Sequence, residues 1–361
     1  MIASSVGKMD KDVESPIFTS LGMFIIDEIH YLDKPSVFNI IGGGGFFGLF
    51  GARVALSFNN TRKAGFILDA GSDFPAEIKD IILSWQTSTI IRDNPERLTT
   101  RGWNSYGEHD FREFKYLTPK KRIDIPDIIG YDFLLQSRSF HFICSADRCA
   151  DMIQQLEKVQ GIAYDNPNSA VICWEPVPYS CIPENLSRCQ KILSKVDILS
   201  PNSEEAARFF GEPEPFTKPE LESLADRYIP YLTKEGNQGL GSVLVLRCGE
   251  LGIYVCSKKG YKKWFPAYQI LNPSPKVLDC TGAGNTACGA FATALLLGHD
   301  WETAGVMASV ASGLCLEQLG VAKLSGKSDW NGSDLRDRID MYLQWSKLET
   351  TTDKVLEDLE K

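Results

Sequence analysis

None of the ten cysteines forms a C-x-x-C pair, and the four histidines (His30, His109, His141, His299) lie far apart in the chain. Those absences exclude a zinc framework of the finger or ribbon kind. No stretch reaches the roughly 18 apolar residues of a membrane span, and the start, Met1 to Lys8, lacks the apolar core of a secretion signal. Positive charge is short as well. There are 38 Lys and Arg against 47 Asp and Glu, a net charge of −9, which argues against nucleic acid as a partner. No internal repeat is visible. What the chain does have is length and apolar content: 361 residues, 43% hydrophobic, enough for one large α/β domain or two smaller ones. Cys144, Cys173, Cys248, Cys256, Cys288 and Cys315 sit in apolar runs, which suits reduced, buried thiols and a cytoplasmic setting, with the nucleus left open.

Residues 1–20 are polar and unpatterned and read as a loose arm. Short apolar strands at 23–26 and 36–41 lead to Gly42–Gly45, and a helix is expected over Phe46–Leu56. A strand at Phe66–Asp69 and a helix at Ala76–Trp85 follow. Between about Thr87 and Ile125, charge, aromatics and Thr alternate without a helical period, so strands and loops standing off the main sheet are expected there. Strand and helix then alternate: 140–144, 146–159, 170–174, 183–193, 196–200, 203–210, 221–232, 243–246 and 253–255. Helices close the series at 286–297, 301–319 and 335–348. Apolar strands alternating with helices predict a mostly parallel sheet covered on both faces. The charged tail, 349–361, is expected to fray.

The most informative run is Val277-Leu278-Asp279-Cys280-Thr281-Gly282-Ala283-Gly284-Asn285, which leads straight into a buried helix. Two glycines there let backbone N–H groups converge at a helix N-terminus, a place that holds an anion. A plain tight turn would use the same glycines, but not the Asp-x-Thr before them nor the polar residue after. At Ser200-Pro201-Asn202-Ser203-Glu204-Glu205, Asn202 and Glu205 could cap a helix or organise magnesium-bound water and phosphate oxygens. Gly43-Gly44-Gly45-Phe46-Phe47-Gly48 satisfies G-x-G-x-x-G, with Asp69 following about twenty residues on, so a dinucleotide-dependent enzyme is one alternative. Another is a polyol lying on bare backbone at Gly42, Gly43 and Gly44, with Asp27 accepting its hydroxyls. A loop cluster without a ligand is the third. Asp27-Glu28-Ile29-His30 and the Arg-rich 92–122 segment read as solvated surface rather than a metal or phosphate site.

Taken together, Asp279–Asn285, the Asn202-x-x-Glu205 element, Asp27 with Gly42–Gly45, and Arg247-Cys248-Gly249-Glu250-Leu251-Gly252 resemble the motifs of the pfkB (ribokinase-like) carbohydrate kinase family. The order and spacing fit over residues 21–330. Thr99–Asn104, Trp174–Pro178 and Ser200–Asn202 look like that family's fungal, killer-maintenance-type branch. The resemblance implies a ribokinase-like α/β domain over 21–348 with a β lid from about 28–41 and 87–125. It implies ATP and Mg2+, with phosphate passed to a hydroxyl of a sugar or nucleoside. Gly282, Ala283 and Gly284 would form the anion hole, and Gly249, Gly252 and Arg247 the nucleotide side. Asn202 and Glu205 would organise Mg2+, and Asp279 and Thr281 a K+ or Na+ ion. A homodimer through lid edges and a protein partner are both compatible with it.

Asn285 stands where that family has its catalytic aspartate. An amide cannot take a hydroxyl proton at neutral pH, and general-base help is worth roughly 10²–10⁴-fold. Phosphoryl transfer leans mainly on positioning and charge stabilisation. The expectation is a kinase-like protein with impaired transfer, or a non-catalytic binding protein on the same fold.

Overall fold

The computed structural model describes residues 14–106, 112–164, 170–235, 241–271 and 277–357. Residues 1–13 of the expected arm, His109 in the expected lid, and the last four of the tail lie outside them. The strands are β1 (Phe18–Ser20), β2 (Ile25–Tyr31), β3 (Val37–Gly42), β4 (Ala64–Gly71), β5 (Ser88–Asn94), β6 (Arg101–Tyr106), β7 (Arg112–Tyr116), β8 (Ser139–Cys144), β9 (Val171–Pro176), β10 (Ile198–Leu199), β11 (Val243–Arg247), β12 (Ile253–Ser257) and β13 (Lys262–Phe265), with three two-residue strands near the C-terminus. The helices are α1 (Gly44–Val54), α2 (Ala76–Ser84), α3 (Ile125–Ile128), α4 (Asp132–Leu135), α5 (Ala146–Tyr164), α6 (Leu186–Ile192), α7 (Ser203–Arg208), α8 (Lys218–Asp226), α9 (Tyr268–Leu271), α10 (Ala283–Leu296), α11 (Trp301–Leu316), α12 (Leu335–Ser346) and α13 (Thr352–Leu356).

Nine strands form the main sheet in the order β13-β12-β11-β10-β9-β8-β1-β4-β5. All pairings from β11 to β5 are parallel, and β12 and β13 run antiparallel at one edge. Period-two alternation divides the core. On β8 and β9, Phe140, Phe142, Ile172 and Trp174 face the layer that holds α5, α6 and α8. Cys173 and the β4 residues Ala64, Phe66 and Leu68 face the layer of α1, α10 and α11. A second sheet, β3-β2-β6-β7, forms the lid.

The glycines of α1 and α10 explain how the lid loop reaches the site. A Cβ on Gly289 would fall 1.9 Å from the Gly48 carbonyl oxygen, and one on Gly51 1.9 Å from that of Thr286. The two helices therefore touch backbone to backbone. That contact carries the N-terminus of α1, at the end of the lid strand β3, up to the N-terminus of α10.

Several boundaries differ from the sequence reading. Phe18–Ser20, assigned to a loose arm, is a fully buried strand between β8 and β4. Three residues are too few to show alternation. Ser88–Asn94, assigned to the lid, is the edge strand of the main sheet, so that lid segment begins at Arg101. The part of the tail over Thr352–Leu356 is helical, capped by Thr351, with Val355 and Leu356 buried. β13 and the small C-terminal strands escaped notice because they are short and mixed in polarity.

Candidate active site

The helix α10 begins at Gly282, whose φ of 79° is open to glycine and strained for most other residues. Its carbonyl accepts from Thr286 N–H at 2.8 Å, closing the first turn. The leading N–H groups of the helix have no acceptor within it, and residues 281–285 are half-buried, open on one side. That is the arrangement an anion needs. The Phe47 ring lies against Gly282: a Cβ there would come within 2.1 Å of it.

Across the gap, the glycine loop closes on the same point. A Cβ on Gly44 would stand 3.1 Å from Asn285 Nδ2. Gly43 takes φ 93°, and its own Cβ would strike the Met23 carbonyl at 2.4 Å. Asp27, 5% exposed, lies between two bare backbones: a Cβ on Gly42 or Gly102 would overlap its carboxylate. Gly102 was not singled out from sequence; its only signal was a glycine inside a strand.

Beneath Asn285 lies a buried polar cluster. Asn285 Nδ2 donates to Glu175 Oε2 at 2.9 Å. A carboxylate only accepts, so the amide nitrogen must face Glu175, and Oδ1 is turned away from it. Glu175 Oε1 meets His141 Nε2 at 2.7 Å, and the other imidazole nitrogen lies 3.1 Å from Ser20 Oγ. Arg247 Nη2 lies 3.2 Å from Glu175 Oε2 and 3.2 Å from Glu205 Oε2, and donates to the Ser200 carbonyl at 2.9 Å. Burial would raise the Glu175 pKa, but Arg247, His141 and Asn285 pull it below the usual carboxylate range. Burial alone would lower His141; its bonds to Cys288 and Glu175 raise it to about 9. Glu205 is pushed up by burial against the pull of Arg247. The cluster so sets two carboxyl groups against a guanidinium and an imidazole, with a neutral amide on top. Glu175 and His141 were not assigned a role from sequence. Their signal was a charged or titratable residue inside an apolar strand run.

Other expected site residues fall as follows. Asn202 and Glu205 cap each other: Asn202 Oδ1 accepts from Glu205 N–H at 2.7 Å, and Glu205 Oε2 from Asn202 N–H at 2.8 Å. Arg247 lies on the same oxygen, 3.2 Å from Glu205 Oε2. Gly249 (φ 54°) and Gly252 (φ 94°) form the turn after β11. Arg247 reaches from the end of β11 into the cluster, to Glu175, Glu205 and the Ser200 carbonyl. A Cβ on Gly284 would fall 2.1 Å from its Nη1. Asp279 Oδ1 accepts from both N–H and Oγ1 of Thr281, at 2.9 and 2.7 Å, a local turn motif.

The dinucleotide alternative loses its support. The strand before Gly43 is a lid strand antiparallel to β2, not part of a parallel βαβ unit. Asp69 is held by Arg92 through two hydrogen bonds of 2.7 Å. Arg92, Arg97 and Arg101 in the basic segment all have partners. His30 contacts Glu28 and Ser36.

A ribokinase-like sheet with a β lid, and a glycine turn opening a buried helix beneath that lid, define a protein of the sugar-kinase class. Residues 156–326 match the pfkB family carbohydrate kinase, and the chain belongs to that family. It lies in the branch of Protein MAK32 of Saccharomyces cerevisiae, to which it is 37% identical over 361 residues, covering 94% of each chain. In fold it is similar to ribokinase from Giardia lamblia, with a TM-score of 0.66 and 17% identity over 92% of this chain and 99% of that one. It is also similar to Arabidopsis thaliana ribokinase complexed with ribose and ATP, with a TM-score of 0.59 and 16% identity over 96% of this chain and 99% of that one. No helix among the described residues is long and apolar enough to cross a membrane.

Proposed function

We propose that this chain binds ATP with its terminal phosphate on the amides at the start of α10, and a sugar or nucleoside hydroxyl between Asp27, Gly42–Gly44 and Asn285. The observation that carries the reading is the meeting of the Gly44 loop with Asn285 at an open helix N-terminus. A hydroxyl acceptor and an anionic donor would meet there. The Arabidopsis ribokinase that shares the fold holds ribose and ATP.

Transfer is slow on this reading, because each carboxylate nearby is unsuited to act as base. Glu175 is 1% exposed and already bonded to Asn285, His141 and Arg247. Asp27 is covered by two backbones. Asn285 can orient a hydroxyl through Oδ1 but cannot take its proton, so the expected rate loss is about 10²–10⁴-fold against a carboxylate at that position. The same features favour a second reading, a binding protein of the kinase fold that acts through a partner. Calorimetric titration with ATP, followed by a phosphate-transfer panel of sugars and nucleosides, separates them. ATP binding with slow transfer supports the first reading. Binding without transfer to any acceptor supports the second, and absence of nucleotide binding overturns both.

A further inference from the structure

Directly beneath the Glu175–Asn285 contact, three fully buried donors converge. His141 of β8 and Cys173 of β9 are Cα partners across the parallel pair, so both side chains leave the sheet on one face. Ser20 of β1 pairs with His141 on the other side, completing a row across three strands. Helix α10 lies on that face and delivers Cys288, one turn below Asn285. An imidazole nitrogen and the two sulfurs all lie within 4.8 Å of one another, and the Sγ atoms of Cys173 and Cys288 are 3.0 Å apart. Relative exposure of all three residues is 0%. Neither nucleotide nor sugar binding uses any of them.

We propose that His141, Cys173 and Cys288 form a binding site for a thiophilic d10 cation, zinc or monovalent copper. Two thiolates and an imidazole are the soft donor set that selects these ions. Supporting partners for the imidazole are already in place: Glu175 Oε1 lies 2.7 Å from Nε2 and Ser20 Oγ 3.1 Å from Nδ1, so the ring is held in one orientation, and the ion would take the place of one of these hydrogen bonds. Each thiol that binds the ion releases its proton to solvent, and no electron changes hands. The site is closed to solvent, so the ion enters as the chain folds. There it would tie β8 and β9 to α10 below the cleft. The inference is independent of whether the chain binds ATP.

The test is metal analysis of the full chain purified under reducing conditions from cells grown with added zinc or added copper. The expected result is close to one equivalent of one of the two metals, falling at least tenfold in Cys173→Ser, Cys288→Ser and His141→Gln. Cys280→Ser, at an exposed thiol, should retain it. Should the core variants fail to fold, X-ray absorption on the wild type decides, with two sulfur ligands at about 2.3 Å expected. A wild type holding under a tenth of an equivalent of either metal, a metal coordinated only by nitrogen and oxygen, or a Cys173–Cys288 disulfide in metal-supplemented preparations would overturn the proposal.

Discussion

Changing Asn285→Asp looks like a simple restoration of the missing base, but the cluster beneath it predicts a more particular outcome. The new carboxylate would face Glu175 Oε2 across the 2.9 Å now spanned by a hydrogen bond. Two full charges at that separation repel by about 6 kcal/mol at an effective dielectric of about 20. Arg247 offsets part of this, and the pair keeps a shared proton to a higher pH than an isolated carboxyl would. Folding then raises one carboxyl pKa above its unfolded value of about 3.9. Such a group costs no stability below the unfolded value and its full penalty above the folded one. The variant should come closest to wild type at the acid end and fall behind it as pH rises, by at most the about 6 kcal/mol of that repulsion, each kcal/mol lowering Tm by about 1–2 °C in a chain of this length. Thermal unfolding of both proteins from pH 4.5 to 8.5 measures it. Any gain in phosphate transfer should appear only as pH rises through the shared titration. The double change Asn285→Asp with Glu175→Gln should remove the repulsion and its pH dependence, because only one carboxylate is left in the pair, though Glu175's contacts with His141 and Arg247 are weakened. A stability difference that does not vary with pH would show that the two side chains do not meet, and the reasoning about the cluster would be wrong.

Three further outcomes follow. Arg247→Met leaves Glu175 and Glu205 as buried carboxylates without their shared cation and should cost about 3–5 kcal/mol, read by denaturant unfolding; loss below 1 kcal/mol would contradict the cluster. Gly289→Ala sets a methyl into the Gly48 carbonyl, where neither backbone can yield easily, and should cost about 3 kcal/mol, with Tm lower by about 4 °C. Asp73, at the lid junction, has its pKa lowered by Thr99 and Arg101 against the effect of burial. Its contribution to stability is present above its ordinary pKa and lost as pH falls through the depressed one, so Asp73→Asn should destabilise at pH 7 and converge with wild type in acid.

Much of this fold was legible because its signals are local. The apolar strand runs at 140–144 and 170–174 and the turn at Gly282 each announce themselves within a few residues. The lid was legible as a change of pattern, though its border was misplaced by one strand, since β5 is a half-buried sheet edge with lid-like composition. At the site, the amide at 285 is legible in the sequence but the groups around it are not. Its surroundings come from contacts between residues distant in the chain: Glu175 with Asn285 and Cys173 with Cys288 across more than a hundred residues, and His141 with Glu175 across 34. Such pairs become visible only when the parallel register of β8 and β9 sets His141 beside Cys173 and the glycine contact of α1 with α10 fixes the helix above them. The contacts of Arg247 were hidden for the same reason: from the last position of β11 its length lets it reach inward to two carboxylates.

The central claim is that the start of α10 grips a nucleotide's terminal phosphate. Crystals grown with a non-hydrolysable ATP analogue test it most directly. Density for the γ-phosphate on the backbone amides of residues 283–285 is the expected result; a folded chain with nucleotide bound elsewhere, or none bound at saturating concentration, would contradict it.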